Sequence, residues 1–214
     1  MITIGFSPHR VEVLESMARE MEGHDLIILE EPPSEMLGEM LAGRMGVEEY
    51  VEELVPAFPL FTTNVCGLLR RLYGAGKRIE QVEPYLATLE RIYGLLDDEG
   101  VPAETVCRLP EVSEVYSAES RATGALMNFY RKMGGGDFRA AVTACREFAH
   151  ADAARLRLRA RLRTEAISAG VRAGEYGGKI YVEAGYIHLA LFVFLRRSLA
   201  EAVLNVRVRP RYLL

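Results

Sequence analysis

Two histidines and several glutamates fall where a metal ion or an acid–base reaction could use them. His9 and His188 each follow a short apolar run within a few residues, and Glu30 ends another such run. Two imidazoles with a carboxylate suit zinc, manganese or iron, and they leave coordination positions open for water. Metal-bound water ionises near neutral pH, at a pKa of roughly 7 for zinc. These residues indicate a site for a divalent metal that could activate water.

Two further glutamates are candidates for moving the proton. Glu31 directly follows Glu30, and Glu83 follows KRIEQV at 77–82, which we predict to be a third strand. Either could act as the acid or base of a hydrolysis. Either could also be an ordinary polar residue at a strand end, and Glu83 could stabilise the start of the next helix. His24 and His150 lack such a context, and we predict that both lie on the surface.

The apolar runs alternate with helical patterns along the chain. This alternation predicts an α/β fold, with a small, mainly parallel sheet surrounded by many helices. Because ligands bind outside the carboxyl ends of parallel strands, we expect His9, Glu30, Glu83 and His188 to meet at one edge. The side chains of His9, Glu30 and His188 should approach within roughly 8 Å. The predicted strands span 1–6, 25–30, 77–82, 179–184 and 204–208.

Capping residues and helical periodicity predict the helices between these strands. Ser7 followed by Pro8 indicates a helix start, so we expect a helix over 8–22 with His9 in its first turn. His188 takes the same place in a helix over 186–203. At such a position the helix dipole disfavours imidazolium, which keeps the ring available as a ligand or base. The other predicted helices span 34–42, 47–55, 58–74, 84–96, 114–133 and a long stretch ending near 172.

The segment 155–163 reads RLRLRARLR, and its strict alternation is typical of a strand. Its flanks are rich in helix formers, so we predict a helix in which Arg155, Arg159 and Arg163 share one face. Arg159 should then point toward the strand ends, near Glu30 or Glu83, and bind an anionic substrate or a developing oxyanion. Other arginines should pair with acids of residues 1–120 or of a second subunit. A strand with five arginines facing solvent, which would suit a polyanion, is the alternative.

Three short motifs resemble the superfamily that groups TraB proteins, Tiki metalloproteases, ChaN-like haem-binding proteins and erythromycin esterases. The motifs are GFSPH at 5–9, LIILE at 26–30 and GYIH at 185–188. Gln81-Val82-Glu83 is similar to an acidic position after the third strand of that superfamily, and Arg159 resembles one of its arginines. The resemblance covers 1–31, 76–85 and roughly 155–208. It implies an α/β fold and either a hydrolase or a binding protein.

Composition and charge narrow the classes of partner. Residues 1–120 carry 9 basic and 23 acidic side chains, whereas residues 121–214 carry 17 basic and 7 acidic ones. We expect the acidic and basic parts to pack on each other or on a second copy of the chain, as a homodimer. The basic part lacks the interleaved aromatic residues of single-strand binders, so we expect no nucleic-acid partner.

The spacing of the cysteines and the length of the apolar runs indicate the cellular compartment. Cys66, Cys107 and Cys145 are widely spaced and form no CxxC pair, which favours a reducing compartment. No stretch approaches the roughly 18 apolar residues of a membrane span, and the first residues do not form a signal peptide. We therefore expect a cytoplasmic protein without a membrane partner.

The sequence favours one domain and leaves three functions open. We expect a single α/β domain over 1–214, with helical insertions at about 32–75 and 98–150 that cap the strand ends. The leading function is a metal-dependent hydrolase of a small molecule or peptide, with His9, Glu30 and His188 on the metal and Glu31, Glu83 and Arg159 in catalysis. One alternative is a non-catalytic protein that binds haem or another ligand in the same pocket. The other is a regulatory or scaffold dimer without an active site.

Overall fold

A five-stranded, all-parallel sheet forms the centre of the structure, a computed structural model that describes residues 1–201 and 206–213. The strand order is β3-β2-β4-β1-β5, which confirms the predicted α/β fold. The predicted strand at 204–208 partly lies outside the described residues, and β5 begins at Val208. The strands are β1 (Ile2–Ser7), β2 (Leu26–Leu29), β3 (Arg78–Gln81), β4 (Ile180–Gly185) and β5 (Val208–Tyr212).

The three central strands are the most apolar ones. Every residue of β1 and β2 is buried, whereas the residues of the edge strands β3 and β5 are partly exposed. Burial on both faces is what continuous apolar runs predict for a parallel sheet. In the register of β1 with β4, Ser7 pairs with Gly185, so these two strands end side by side.

Gly5 permits a close approach between β1 and β4. A Cβ atom at position 5 would stand 2.0 Å from the Tyr181 hydroxyl oxygen, a distance that no side chain tolerates. The Tyr181 ring therefore lies over the backbone of β1. The glycine that begins the first motif has a packing role in the middle of a strand.

Most helices follow the sequence pattern, but the first and the last begin later than predicted, and α6 was not predicted. A 3₁₀ turn at Val11–Val13 precedes the first α-helix, which begins at Leu14 and not at Pro8 as predicted. Ser7 belongs to β1, so it does not cap a helix. The helices are α1 (Leu14–Glu22), α2 (Glu35–Leu41), α3 (Val47–Leu54), α4 (Pro59–Gly74), α5 (Pro84–Tyr93), α6 (Ala103–Val106), α7 (Ser113–Gly134), α8 (Phe138–Ala173) and α9 (Ala190–Glu201).

The chain folds as two compact units, 1–83 with 163–214 and 84–162. The first contains the sheet, and its largest core joins α1, β2 and α4 through residues such as Met17, Ile27 and Leu69. The predicted insertion at 32–75 corresponds to α2, α3 and α4 of this unit. The predicted insertion at 98–150 falls within the second unit.

The second unit has a separate apolar core and its own ion pairs. Residues of α5, α6 and α7, including Tyr85, Val106 and Val115, form that core. The segment 155–163 is helical within α8, which confirms the prediction of a helix. Two of its arginines pair with acids of residues 1–120, as predicted, because Arg155 lies 3.1 Å from Glu119 and Arg161 lies 2.6 Å from Glu114.

Candidate functional site

Three predicted site residues converge around Gly185, at the carboxyl ends of β1, β2 and β4. The point where a Cβ atom of residue 185 would stand lies 3.5 Å from His188 Cδ2, 3.8 Å from His9 Nε2 and 3.9 Å from Glu30 Oε2. His9, Glu30 and His188 thus surround one small volume, within the distance expected from the sequence. The absence of a side chain at Gly185 keeps that volume open.

Glu30 and His188 form a direct pair. His188 Nε2 lies 2.9 Å from Glu30 Oε1, and both side chains are largely buried. The backbone N–H of Gly185 donates a hydrogen bond of 2.8 Å to the other carboxylate oxygen, Oε2. Because a carboxylate accepts hydrogen bonds, a neutral His188 carries its hydrogen on Nε2, and its Nδ1 can accept a proton.

Arg163 is a residue of this site that sequence reasoning did not single out. Its side chain is 2% exposed, and its NH1 nitrogen lies 3.8 Å from Glu30 Oε2. Its Nε donates a hydrogen bond of 2.9 Å to the Val82 carbonyl oxygen at the end of β3. The signal was its position one helical turn after Arg159, on the same predicted face. Sequence alone does not say which arginine of that face reaches Glu30.

His9 lies in the loop between β1 and the first 3₁₀ turn, which corrects its predicted place in the first turn of a helix. The argument from the helix dipole therefore does not apply to this ring. Aromatic side chains position it instead, because it stacks on Phe61 at 5.3 Å and meets Phe58 edge-on at 5.4 Å. His188 lies in a 3₁₀ turn, Tyr186–His188, whereas α9 begins at Ala190, so its predicted place in the first turn of that helix is wrong as well.

A cavity of about 270 Å³ opens beside these histidines. This volume is at the lower limit of pockets that bind small molecules, roughly 300 Å³, so a bound group would be compact. The aromatic and aliphatic part of the lining suits an uncharged apolar group. The lining consists of Ser7, His9, Phe58, Gly185, Tyr186, Ile187 and His188.

Glu183 is a second site residue that the sequence analysis did not select. Burial of its carboxyl group raises its pKa to about 7, and the carboxylates of Glu31 and Glu30 contribute further. The positive charge of Arg163 and a hydrogen bond from the Glu30 backbone lower this pKa, but by less than burial raises it. A carboxyl group that titrates near neutrality can either give or take a proton.

Glu31 is already engaged by neighbouring side chains. Its Oε2 accepts hydrogen bonds from the Tyr50 hydroxyl at 3.1 Å and from Gln81 Nε2 at 3.0 Å. Burial and the nearby Glu31 and Glu183 carboxylates raise the pKa of the Cys66 thiol to about 12. Cys66 is therefore a thiol at neutral pH, and the thiolate is the nucleophilic form of cysteine.

The remaining predicted residues belong to different units, Glu83 to the first and Arg159 to the second. Glu83 follows β3 and is fully buried. Arg159 is half-buried on α8, within the second unit. The catalytic roles of both stay predictions.

The geometry does not fit the predicted metal site as it stands. Each oxygen of Glu30 faces a protein partner, Oε1 the His188 ring and Oε2 the Gly185 N–H group. Within the described part of the chain, no three His, Cys, Asp or Glu side chains are arranged to hold a metal ion. His9, Glu30 and His188 as metal ligands therefore stay a prediction.

His24 is buried, so its predicted surface position is wrong, whereas His150 is exposed as predicted. The His24 ring lies between Glu20 O, 2.5 Å from Nδ1, and Thr3 Oγ1, 2.8 Å from Nε2. Burial lowers its pKa. This burial was not predictable from the sequence, because one partner is a backbone oxygen and the other belongs to a distant strand.

A known protein is similar in sequence to this chain. The chain is 26% identical over 210 residues to an uncharacterized protein of Archaeoglobus fulgidus, an alignment that covers 97% of this chain and 70% of that protein. No family model and no solved structure matches the chain. Among the helices of residues 1–201 and 206–213, none is long and apolar enough to cross a membrane. Functional inference therefore rests on the geometry of the site.

Proposed function

We propose that this protein is a hydrolase of a small molecule or peptide, with its reaction centre beside Gly185. The observation that carries the proposal is the His188–Glu30 pair, 2.9 Å apart and bordered by a cavity. A histidine whose ring is oriented by a carboxylate is a common device for activating water or a hydroxyl group. The superfamily resemblance of the three motifs agrees with this function.

His188 is the proposed general base. With its Nε2–H directed at Glu30, its Nδ1 takes a proton from the attacking water. The Glu30 carboxylate then stabilises the imidazolium that forms, because an opposite charge within hydrogen-bond distance favours the charged ring. The Gly185 N–H group fixes that carboxylate, so the pair is oriented before substrate binds.

Arg163 and Glu183 are the proposed electrostatic and acid groups. Arg163 keeps a buried positive charge next to Glu30, and it would favour the negative charge that develops on a carbonyl oxygen. Glu183, with its pKa of about 7, is protonated in a large fraction of molecules at neutral pH and could protonate the leaving group. Glu31, Glu83 and Arg159 remain candidates for the same roles.

A panel of small esters and short peptides tests the proposal on the whole chain. We expect hydrolysis by the native protein and a decrease in kcat/KM of about 10³-fold in His188→Gln, a loss typical of a missing general base. His150→Gln is the matched control, because it removes an exposed histidine elsewhere, and it should keep native activity. Equal activity in both variants would contradict the proposal.

The same assay separates the alternatives. Activity that EDTA abolishes and zinc restores would favour the metal-dependent reaction, with His9, Glu30 and His188 as ligands. Activity that survives EDTA favours the histidine–carboxylate reaction. Saturable ligand binding in the absence of any hydrolysis would favour a non-catalytic binding protein.

A further inference from the structure

A second cavity, of about 520 Å³, lies at the amino ends of the strands. Met1 and Lys179, which directly precede β1 and β4, contribute to its lining, and so does His24 before β2. It extends along the edge strand β5, where Arg209 and Arg211 line it, with α1 on the other side. None of the three sequence motifs and no step of the proposed reaction uses this cavity.

A chain of hydrogen bonds forms one wall of the cavity. His24 Nδ1 faces the Glu20 carbonyl oxygen, which can only accept, so the neutral ring has its hydrogen on Nδ1. Its Nε2 then accepts from the Thr3 hydroxyl, and Thr3 Oγ1 in turn accepts from Arg209 Nε at 3.0 Å. This chain fixes Arg209 at the cavity.

Glu20 holds two arginines next to each other. Its Oε1 lies 2.8 Å from Arg211 Nε, and its Oε2 lies 3.6 Å from Arg209 NH2. Arg209 and Arg211 are two residues apart on β5, so both side chains leave the same face of the sheet. Glu20 thereby places two guanidinium groups side by side.

Positive charge exceeds negative charge around this space. Arg19, Lys179, Arg209 and Arg211 line the cavity, and Glu20 is the one carboxylate among its described lining residues. Arg19 has a partner outside the lining, Glu15 at 3.6 Å, in an exposed pair that contributes little. Lys179 makes no ion pair within residues 1–201 and 206–213. Arg209 and Lys179 also contribute to the lowered pKa of His24, although burial is the main cause.

We propose that this cavity binds a phosphate group, of a free phosphate ion or of a small phosphomonoester, through Arg209, Arg211 and Lys179. A phosphate dianion matches the excess of more than one positive charge, and it would relieve the repulsion among these side chains. Paired guanidinium forks suit its oxygens, which accept several charge-assisted hydrogen bonds at once. The volume falls within the roughly 300–1,000 Å³ of small-molecule sites, so it accommodates the group that carries the phosphate.

Calorimetric titration of the whole chain with inorganic phosphate and with glycerol phosphate tests the proposal at constant ionic strength. The test variant is Arg211→Gln with Lys179→Gln, two exposed side chains whose replacement preserves the core. Arg139→Gln, exposed on α8 and outside the cavity, is the control for a general loss of positive charge. We expect one site per chain, weakened about tenfold or more in the double variant, or 1.4 kcal/mol or more in binding free energy.

The titrations can identify the ligand or overturn the proposal. Tighter binding of glycerol phosphate assigns the site to a phosphomonoester, and equal binding assigns it to the free ion. No binding of either compound, native affinity in the double variant, or an equal loss in Arg139→Gln would overturn the proposal. The proposed hydrolase activity does not enter this test, so the two proposals fail independently.

Discussion

The two ends of the sheet each bury one histidine, and the two rings face different partners. At the carboxyl ends, His188 Nε2 lies 2.9 Å from the carboxylate of Glu30. At the amino ends, His24 lies between a backbone carbonyl oxygen and the hydroxyl of Thr3. Neutral His188 therefore carries its hydrogen on Nε2, whereas neutral His24 carries it on Nδ1.

This difference separates the histidine of the proposed reaction from a structural one. A carboxylate stabilises the imidazolium ion, so His188 can gain a proton during a reaction without losing its partner. At His24, a second ring hydrogen would displace the hydrogen that the Thr3 hydroxyl donates, and Arg209 lies nearby. Burial of a histidine is thus a weak sign of function, and the charge of its hydrogen-bond partner is a stronger one.

The largest expected effect on stability concerns the amino-end histidine. His24→Gln breaks two hydrogen bonds of a fully buried ring, and we expect it to lower the free energy of unfolding by about 1–3 kcal/mol. His188→Gln should cost less, because that ring borders a cavity where water can solvate Glu30. Urea unfolding of both variants measures the difference, and a larger cost at His188 would reverse our assignment of the structural histidine.

Glu183 and His24 should make the free energy of unfolding depend on pH in opposite directions. The raised pKa of Glu183, about 7 against the usual 4.5, means that the folded chain keeps a proton that the unfolded chain loses. Its contribution to stability is therefore present at low pH and is lost as pH rises from 4.5 to about 7. The lowered pKa of His24 acts in the other direction, since below pH 6.5 the unfolded chain binds a proton that the folded chain does not.

Two variants separate these contributions. In Glu183→Gln, unfolding between pH 4.5 and 7 should show a smaller loss of stability with rising pH than in the native protein. In His24→Gln, stability should fall less as pH decreases below 6.5. Urea unfolding at pH 5 and pH 7.5, buffered at equal ionic strength, measures both slopes, and unchanged slopes would contradict the assigned pKa directions.

The smallest expected effect is a gain in stability at the carboxyl end of α3. Val55 follows α3 in the left-handed conformation, at φ 45° and ψ 52°, and it is 83% exposed. A β-branched residue is strained there, whereas glycine is not. Val55→Gly should therefore raise the free energy of unfolding by about 0.5–1 kcal/mol. A decrease in thermal midpoint would show that contacts of Val55 outweigh the strain.

Most of the scaffold could be predicted from the sequence because apolar runs and glycine or proline breaks are local signals. The runs at 1–6, 25–30 and 179–184 became the three central strands, within a residue or two. Parallel pairing then followed from the alternation with helices, and it brought His9, Glu30 and His188 to one place. Local sequence patterns and the parallel topology were therefore sufficient to predict the central strands and the convergence of these three side chains.

The rest depends on contacts between distant segments. Ser7 and Pro8 resemble a helix start, yet pairing of Ser7 with Gly185 extends β1 and delays the helix to Leu14. Arg163 and Arg159 are equivalent in the sequence pattern, and the packing of α8 determines that Arg163 reaches Glu30. Burial of His24 likewise requires Thr3, 21 residues away.

A double-mutant cycle on kcat/KM tests the His188–Glu30 pair most directly. The variants are Glu30→Gln, His188→Gln and the two changes combined, assayed on the ester that the native protein hydrolyses best. If Glu30 acts through His188, the combined variant should lose about as much activity as His188→Gln alone, roughly 10³-fold. Losses that multiply would show that the two residues act independently. That result would contradict a general base made of the pair.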